Sequence, residues 1–458
     1  STEPPLLFLV SFGLFPTING RYGSVIINSV LYLPFYLLGH NADFVTRFSS
    51  ILFHSLSIAI LFIFLKGLLN DLLIALFTAL LLSFTPFYFS PNTYGKEHGM
   101  ALFFLLSSFC LLQRAVRKKS LILTGLSAFI FIFTITIRES IIVTAPLFIL
   151  LYFNPSFSFK PLRITFPKDR LNWKLTICLF ASLLIAFLMP FFTYLKYVFF
   201  KTLFIKDISQ DTGVVSFLGF FSPVFKLAIK DMFVSIPGIV FLFSLMGIII
   251  TLKKESFSYI FFLCWLSLLF YFGNTSGYCV RYLDLVIIPI YVFASYALAK
   301  LYRRYKKIRI LLILLLIFIV SRMFIFMHPM LKFRHNYNGE KQFALFVKEK
   351  TTENSVVIAM DDGPFIEYYG KRKIIGHPVG NPEKINNFIV ETKTNINNGV
   401  SVYLIESGLS YDPGGIFKNA LFNNFKVKSI SEKLTEDYHR PELKFQTYHQ
   451  KLFKIEPK

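Results

Sequence analysis

The sequence predicts an α-helical polytopic membrane protein ending in a small C-terminal α/β soluble domain, and three observations carry that prediction. Hydrophobic residues make up 54% of the 458 positions and charged residues only 16%, whereas an ordinary soluble domain carries about 25% charge. Apolar stretches close to the ~20 residues that cross a bilayer recur from the N-terminus onward. From about Phe333 the pattern changes abruptly to mixed polar and charged. The mean hydropathy of +0.58 agrees with the first two.

Ten spans are expected, near 47–66, 71–91, 98–113, 119–137, 140–154, 175–198, 233–252, 257–272, 282–300 and 308–328. Two earlier apolar stretches, 5–16 and 24–39, are interrupted by Pro16, Asn19, Gly20, Arg21, Asn28 and Pro34. Those interruptions suit interfacial or re-entrant helices better than full crossings. The expected organisation is an extracytoplasmic arm over 1–46, a transmembrane domain over 47–330 and an extracytoplasmic α/β domain over 331–458. Ser1-Thr2-Glu3-Pro4-Pro5 reads as a loop, so one further helix is expected before it. The 57 Phe and 23 Tyr read as lipid-facing and inter-helix packing groups.

The net charge of +22 lies in short basic runs between apolar stretches, which excludes a nucleic-acid footprint. The runs are Arg114-Ala115-Val116-Arg117-Lys118-Lys119, the loop Lys160 to Lys174, Lys253-Lys254 and Arg303-Arg304-Tyr305-Lys306-Lys307. Alternating the ten spans puts all four on one side, which the positive-inside rule makes the cytoplasm. The arm, the loops 92–97, 199–232 and 273–281, and the C-terminal domain then face outward. Cys110, Cys178, Cys264 and Cys279 share no ligand spacing and read as small core residues. No retention signal or lipidated cysteine motif is present, which fits a prokaryotic plasma membrane.

In the C-terminal part, Ser355–Met360 and Val400–Ile405 are β-branched runs, while 339–350, 382–396 and 415–424 have helical periodicity. Alternating strand and helix predicts a small three-layer α/β domain. It has no Gly-rich phosphate loop, and Asp361-Asp362-Gly363 is only a turn signal. A structural or acceptor-docking role is expected of it.

Charged groups at membrane depth are costly and rarely idle. Those expected at the outer face are Glu3, Arg21 with Tyr22, Lys96-Glu97-His98, Arg138-Glu139, and Arg281-Tyr282 with Asp284. Each has a plain alternative. Lys96 and Glu97 can be a solvated pair, Arg138 and Glu139 a helix-turn pair, and Arg281 and Asp284 an i, i+3 pair. Together these cations, hydroxyls and carboxylates have the chemistry to hold a lipid-linked phosphate and activate a hydroxyl beside it. The loop 199–232, with Pro223 and an amphipathic run after it, reads as a gate or as a plain interfacial anchor.

The order of these features resembles the polytopic glycosyltransferases of the GT-C fold, in particular the protein mannosyltransferase and lipid A aminoarabinose transferase branch. The segment "SVIINSVLYLPFYLLG" (Ser24–Gly39) occupies the place of the juxtamembrane helix. Thr46-Arg47-Phe48-Ser49-Ser50 opens the next helix, "LLLSFTPFYFSP" supplies a span ending in Thr-Pro, and Glu97 is the acid of a second outer loop. Ile137-Arg138 ends a span, and "YCVRYLDLVIIPIYVFASYAL" is similar to the Arg-Tyr-Leu segment of that group. Two departures stand out. The usual Asp-Glu pair is represented by Thr2-Glu3, and Asn19-Gly20-Arg21-Tyr22-Gly23-Ser24 replaces a His-x-Pro-Pro-Leu motif.

The resemblance implies sugar transfer from a polyprenyl-phosphate donor to a protein, lipid or glycan acceptor hydroxyl on the outer face. It makes Arg21, Lys96, Arg138 and Arg281 the cations for the leaving phosphate, with Tyr22 and Tyr282 as hydroxyl donors. Glu3 is the general base that the resemblance favours, and Glu97 is the alternative by position. His98 and Asp284 are expected to orient these groups. The branch resembled uses no metal, so no cofactor is expected, although Glu97, His98 and a further carboxylate are where a divalent cation would sit. A transporter or flippase of lipid-linked sugars is the competing class, and an assembly subunit is a third.

Overall fold

The computed structural model describes residues 22–39, 42–93, 97–159, 162–165, 172–188, 223–252, 257–273, 283–336, 339–360, 362–376, 382–409, 412–439 and 444–458. The chain divides into two compact units, Ser1–His328 and Pro329–Lys458.

In the first unit the described helices are α1 Tyr22–Leu37, α2 Ala42–Leu69, α3 Leu72–Ser83, α4 Pro86–Thr93, α5 His98–Lys118, α6 Leu121–Ile137, α7 Ala145–Phe153, α8 Trp173–Leu188, α9 Pro223–Ser235, α10 Gly238–Leu252, α11 Phe257–Gly273, α12 Ile287–Arg304 and α13 Arg309–Asn336. The apolar stretch at 5–16 lies outside the described residues. A short hairpin of β1 Ser156–Phe159 and β2 Leu162–Thr165 joins α7 to α8.

Local chemistry sets the boundaries. Asp71 caps α3 by accepting from the N–H groups of Leu73 at 3.1 Å and Ile74 at 3.3 Å, which satisfies donors that the helix cannot satisfy itself. Lys119 ends α5 in the left-handed region at φ 52°, and the Ser120 hydroxyl then accepts from Leu123 N–H to start α6. The single span expected over 71–91 is two helices. Pro86 has no N–H to continue α3 and opens α4 instead. The hydroxyl of Thr85 donates to the Leu81 carbonyl at 2.9 Å at that break. A second break separates α9 from α10, which meet at 109°.

Among the described residues, three helical stretches are long and apolar enough to cross a membrane, Phe44–Leu69, His98–Lys118 and Lys306–Lys332, and the bent pair α9–α10 adds a fourth candidate. The surface of α13 shows what surrounds it. Ile310, Leu311, Phe318 and Ile325 are more than 60% exposed while Ile319 and Met323 are fully buried. A helix apolar on every side belongs in lipid. The chain is therefore an integral membrane protein. The interior is aromatic, as the Phe content predicts: Phe131 stacks on Phe148 with centroids 4.5 Å apart, and Trp265 packs among Phe109, Phe261 and Phe262. Of the cysteines, Cys110 is buried, but Cys264 is exposed on the bundle surface and so is not a core residue; Cys279 lies outside the described residues.

Contacts between helix ends give the bundle two chemically distinct poles. At one, Arg117 Nη2 donates to the Gly67 carbonyl at 2.6 Å, and Arg303 holds both carboxylate oxygens of Asp71 at 2.6 Å. Ser258 Oγ reaches the Leu68 carbonyl at the same pole. The described basic runs therefore gather there. The starts of α1, α5 and α12 and the end of α6 gather at the other pole.

The second unit is a three-layer α/β domain. Its sheet has β3 Ser355–Ile358, β4 Lys373–Ile375, β5 Ser401–Ile405, β6 Phe425–His439 and β7 Lys444–Pro457, in the order β4-β3-β5-β7-β6. The first three strands are parallel, and the last two add an antiparallel hairpin. Helices α14 Gly339–Lys350 and α15 Gly363–Gly370 cover one face, where Phe343, Val347 and Ile366 meet Val357, Tyr403 and Ile405. Helices α16 Pro382–Asn397 and α17 Ile416–Asn424 cover the other, where Ile385, Phe417 and Leu421 meet Ile358, Val402 and Leu404. Alternate strand residues thus serve opposite layers. The long β6–β7 hairpin and α15 have no counterpart in the sequence reading. The β6–β7 strands carry charged residues at close intervals, so they lack the apolar runs that mark the other strands.

Candidate functional site

The pole opposite the basic runs holds a buried polar cluster. Asp284 lies in the turn that precedes α12 and is 1% exposed. Its Oδ2 accepts from Arg138 Nη1 at 2.5 Å and lies 2.8 Å from His98 Nδ1. Its Oδ1 accepts from the Leu285 N–H at 2.8 Å. Arg138 is the residue at which α6 ends, with extended backbone at φ −148°, and it is 4% exposed. His98 is the first residue of α5 and 2% exposed. Three chain segments separated by up to 186 positions thus end on a single carboxylate. A buried carboxylate costs several kcal/mol unless paired, on the order of what a short charged hydrogen bond returns.

A second polar group adjoins it. Tyr88 of α4 is fully buried, shares a short hydrogen bond with Ser57 of α2, and lies within electrostatic reach of Asp284 and Arg138. Asn92, also on α4 and 1% exposed, donates to the Tyr88 carbonyl at 2.7 Å, meets His54 Nδ1 at 3.1 Å and accepts from the Gly99 N–H at 2.7 Å. Gly99 has no room for a side chain: a Cβ there would stand 2.8 Å from the His54 backbone nitrogen. Further along, Thr85 Oγ1 and Tyr291 Oη share a hydrogen bond of 2.7 Å that ties the break before α4 to α12.

The sequence-predicted residues distribute as follows. Arg138, His98 and Asp284 come together. Glu97 precedes His98 and lies within its electrostatic reach, half-buried, with no side-chain hydrogen bond capping its own helix. Tyr22 begins α1. Its neighbour Gly23 lies so close to the end of α6 that a Cβ would stand 2.5 Å from Thr136 Oγ1, which brings the start of α1 to the Arg138 end of that helix. Glu3, Arg21, Lys96, Arg281 and Tyr282 lie outside the described residues.

Three side chains of the cluster have partners far away along the chain. The Asp284 carboxylate takes Arg138 and His98, because both are delivered to it by helix ends, while Arg281, its i, i+3 alternative, lies outside the described residues. The Arg138 guanidinium reaches across to Asp284. His98 Nδ1 lies against Asp284. Asn92, Tyr88, His54 and Ser57 were not foreseen. Their only signal was the presence of polar groups inside apolar stretches. Among the described residues no cluster of three or more His, Cys, Asp or Glu side chains could hold a metal.

No protein-family profile matches the chain, and no curated protein matches it by sequence. Solved structures do match. The archaeal oligosaccharyltransferase AglB from Archaeoglobus fulgidus, in complex with an inhibitory peptide and a dolichol-phosphate, has a TM-score of 0.54 at 13% identity over 93% of this chain and 66% of its own. The arabinofuranosyltransferase AftD from Mycobacteria has a TM-score of 0.56 at 11% identity, covering 99% of this chain and 39% of its own. ArnT from Cupriavidus metallidurans in the apo state has 0.54 at 13%, covering 94% and 87%, and the same protein bound to undecaprenyl phosphate has 0.52 at 10%. The chain spans less than two thirds of the length of the first two. At these identities the likeness is one of fold, and the fold is that of the GT-C membrane glycosyltransferases.

Proposed function

We propose that the chain is a membrane glycosyltransferase that moves a sugar from a polyprenyl-phosphate donor to an acceptor hydroxyl at the pole opposite its basic runs, on the extracytoplasmic face. The observation that carries this reading is the buried Arg138–Asp284–His98 cluster, set at a single pole of a GT-C-fold bundle with Glu97 beside it. Loss of a lipid phosphate builds negative charge, and preorganised cations near that charge lower the barrier. Asp284 holds Arg138 in place at this pole, and Arg21, Lys96 and Arg281 are the proposed companions, with Tyr22 and Tyr282 as donors. One carboxylate suffices as general base for an inverting attack by the acceptor hydroxyl. Glu97 fits that role from its position, and Glu3 is the second candidate. The C-terminal α/β domain is proposed to dock the acceptor, on the same outer side.

The bent pair α9–α10 supports the competing reading of a lipid-sugar flippase, because Asp231, 4% exposed, sits one turn before a 109° break and broken helices with buried acids mark transport sites. Proteoliposomes loaded with radiolabelled polyprenyl-phosphate sugars separate the two. Release of label from the lipid, lost in Glu97→Gln or Glu3→Gln while donor binding persists, is the transferase outcome. Movement of intact labelled lipid between leaflets without release is the flippase outcome, and unchanged release in both variants removes these carboxylates as the base.

A further inference from the structure

Helix α5 begins at His98, and its first N–H groups need acceptors that the helix itself cannot supply. The usual supplier is the residue just before the helix, which is Glu97, and Glu97 makes no such bond. The acceptor comes instead from another helix: Asn92 Oδ1 takes the Gly99 N–H at 2.7 Å. The amide is itself held, since Nδ2 donates to the Tyr88 carbonyl at 2.7 Å and lies 3.1 Å from His54 Nδ1. Gly99 permits this approach because a Cβ there would stand 2.9 Å from Asn92 Oδ1. Asn92 therefore fixes the first turn of α5, from which Glu97 and His98 project.

We propose that Asn92 is a positioning residue for the candidate site, capping α5 from α4 so that the Glu97 carboxylate is not drawn into capping its own helix and His98 Nδ1 meets Asp284. His54 is its support, holding the amide in the orientation that presents Oδ1 to Gly99. This inference rests on the transferase reading for its effect on turnover and on geometry alone for its effect on His98. The acceptor on the Asn92 side chain is the part that acts. Asp at this position keeps that acceptor and adds a negative charge favoured at a helix N-terminus, whereas Ala removes it.

The test uses the full chain in nanodiscs with two readouts. The first is sugar release from radiolabelled polyprenyl-phosphate donors. The second is the ring ¹⁵N signal of His98 in histidine-labelled protein, assigned by its disappearance in His98→Gln. Asn92→Ala is expected to lower turnover on the order of 10- to 100-fold, as small misplacements of reacting groups do, with the donor KM nearly unchanged, and to shift the His98 signal. Asn92→Asp is expected to restore most of both. Wild-type turnover and an unmoved His98 signal in Asn92→Ala would overturn the inference. So would equal losses in Ala and Asp with an unmoved His98 signal, since the residue would then be supporting the fold only. If the wild-type protein releases sugar from no donor, the transferase reading fails, and the ¹⁵N readout still decides the positioning role.

Discussion

Asp284 organises the site at the scale of single residues. It is one carboxylate that satisfies a guanidinium, an imidazole and a backbone N–H at once. Removing one member of a buried charged set leaves the others desolvated, at a cost of about 3–5 kcal/mol. Asp284→Asn is therefore expected to lower the melting temperature in detergent markedly, whereas Glu97→Gln leaves it close to wild type. Equal melting of Asp284→Asn and wild type would show that the cluster contributes little. The opposite pole has a milder, pH-dependent counterpart. Burial pushes the Asp71 carboxyl up, but hydrogen bonds and charge from Arg303, with the N–H groups of Ile74 and Leu73, hold it below its ordinary 3.8. Such a group stabilises fully above its unfolded value and loses that contribution as pH falls through the lower folded value. Thermal melts taken from above 3.8 to well below it are expected to fall less steeply in Arg303→Gln than in wild type. The pair is partly exposed, so the difference is about 1 kcal/mol or less.

Between elements, close backbone approach decides the packing. A Cβ on Gly247 would stand 2.0 Å from the Phe293 carbonyl oxygen, so α10 lies directly on the backbone of α12, the helix whose preceding turn carries Asp284. Gly247→Ala must move backbone and not merely a side chain. Overpacking of that kind costs about 1–3 kcal/mol or more. The expected result is a lower melting temperature and a weakened His98–Asp284 contact, read by the His98 ring ¹⁵N signal; a variant indistinguishable from wild type would show that the two helices can separate freely. Helix boundaries were largely legible in the sequence. Asp71, Ser120 and Pro86 mark ends by chemistry that acts over four residues. The break at Pro86 was nonetheless missed, because the residues on both sides are apolar and hydropathy alone does not register a kink.

At the scale of the whole molecule, the poles of the membrane unit carry opposite chemistry, from which the positive-inside rule makes sidedness a testable expectation. Single cysteines introduced beside Glu97 and beside Lys307, in a chain whose own cysteines are replaced, are expected to react with a membrane-impermeant maleimide from opposite sides of oriented vesicles. Labelling of both from one side would break the assignment of the site to the extracytoplasmic face. The soluble unit has its own two-sided core, which accounts for the abrupt change in composition near Phe333.

The sequence by itself determined that the chain enters a membrane, where most of its apolar helices lie, where its basic runs fall and that its last part is α/β, because each of these is set by transfer free energy and hydrogen bonding among neighbouring residues. It also put Arg138, His98 and Asp284 among the residues of interest, since charge at membrane depth is costly wherever it occurs. Only the tertiary structure decided that Arg138 and His98 share the carboxylate of Asp284 and that Asn92 caps a helix other than its own. Those pairings join positions as much as 186 apart, and spacing along the chain holds no record of which helix ends will meet once the bundle has packed.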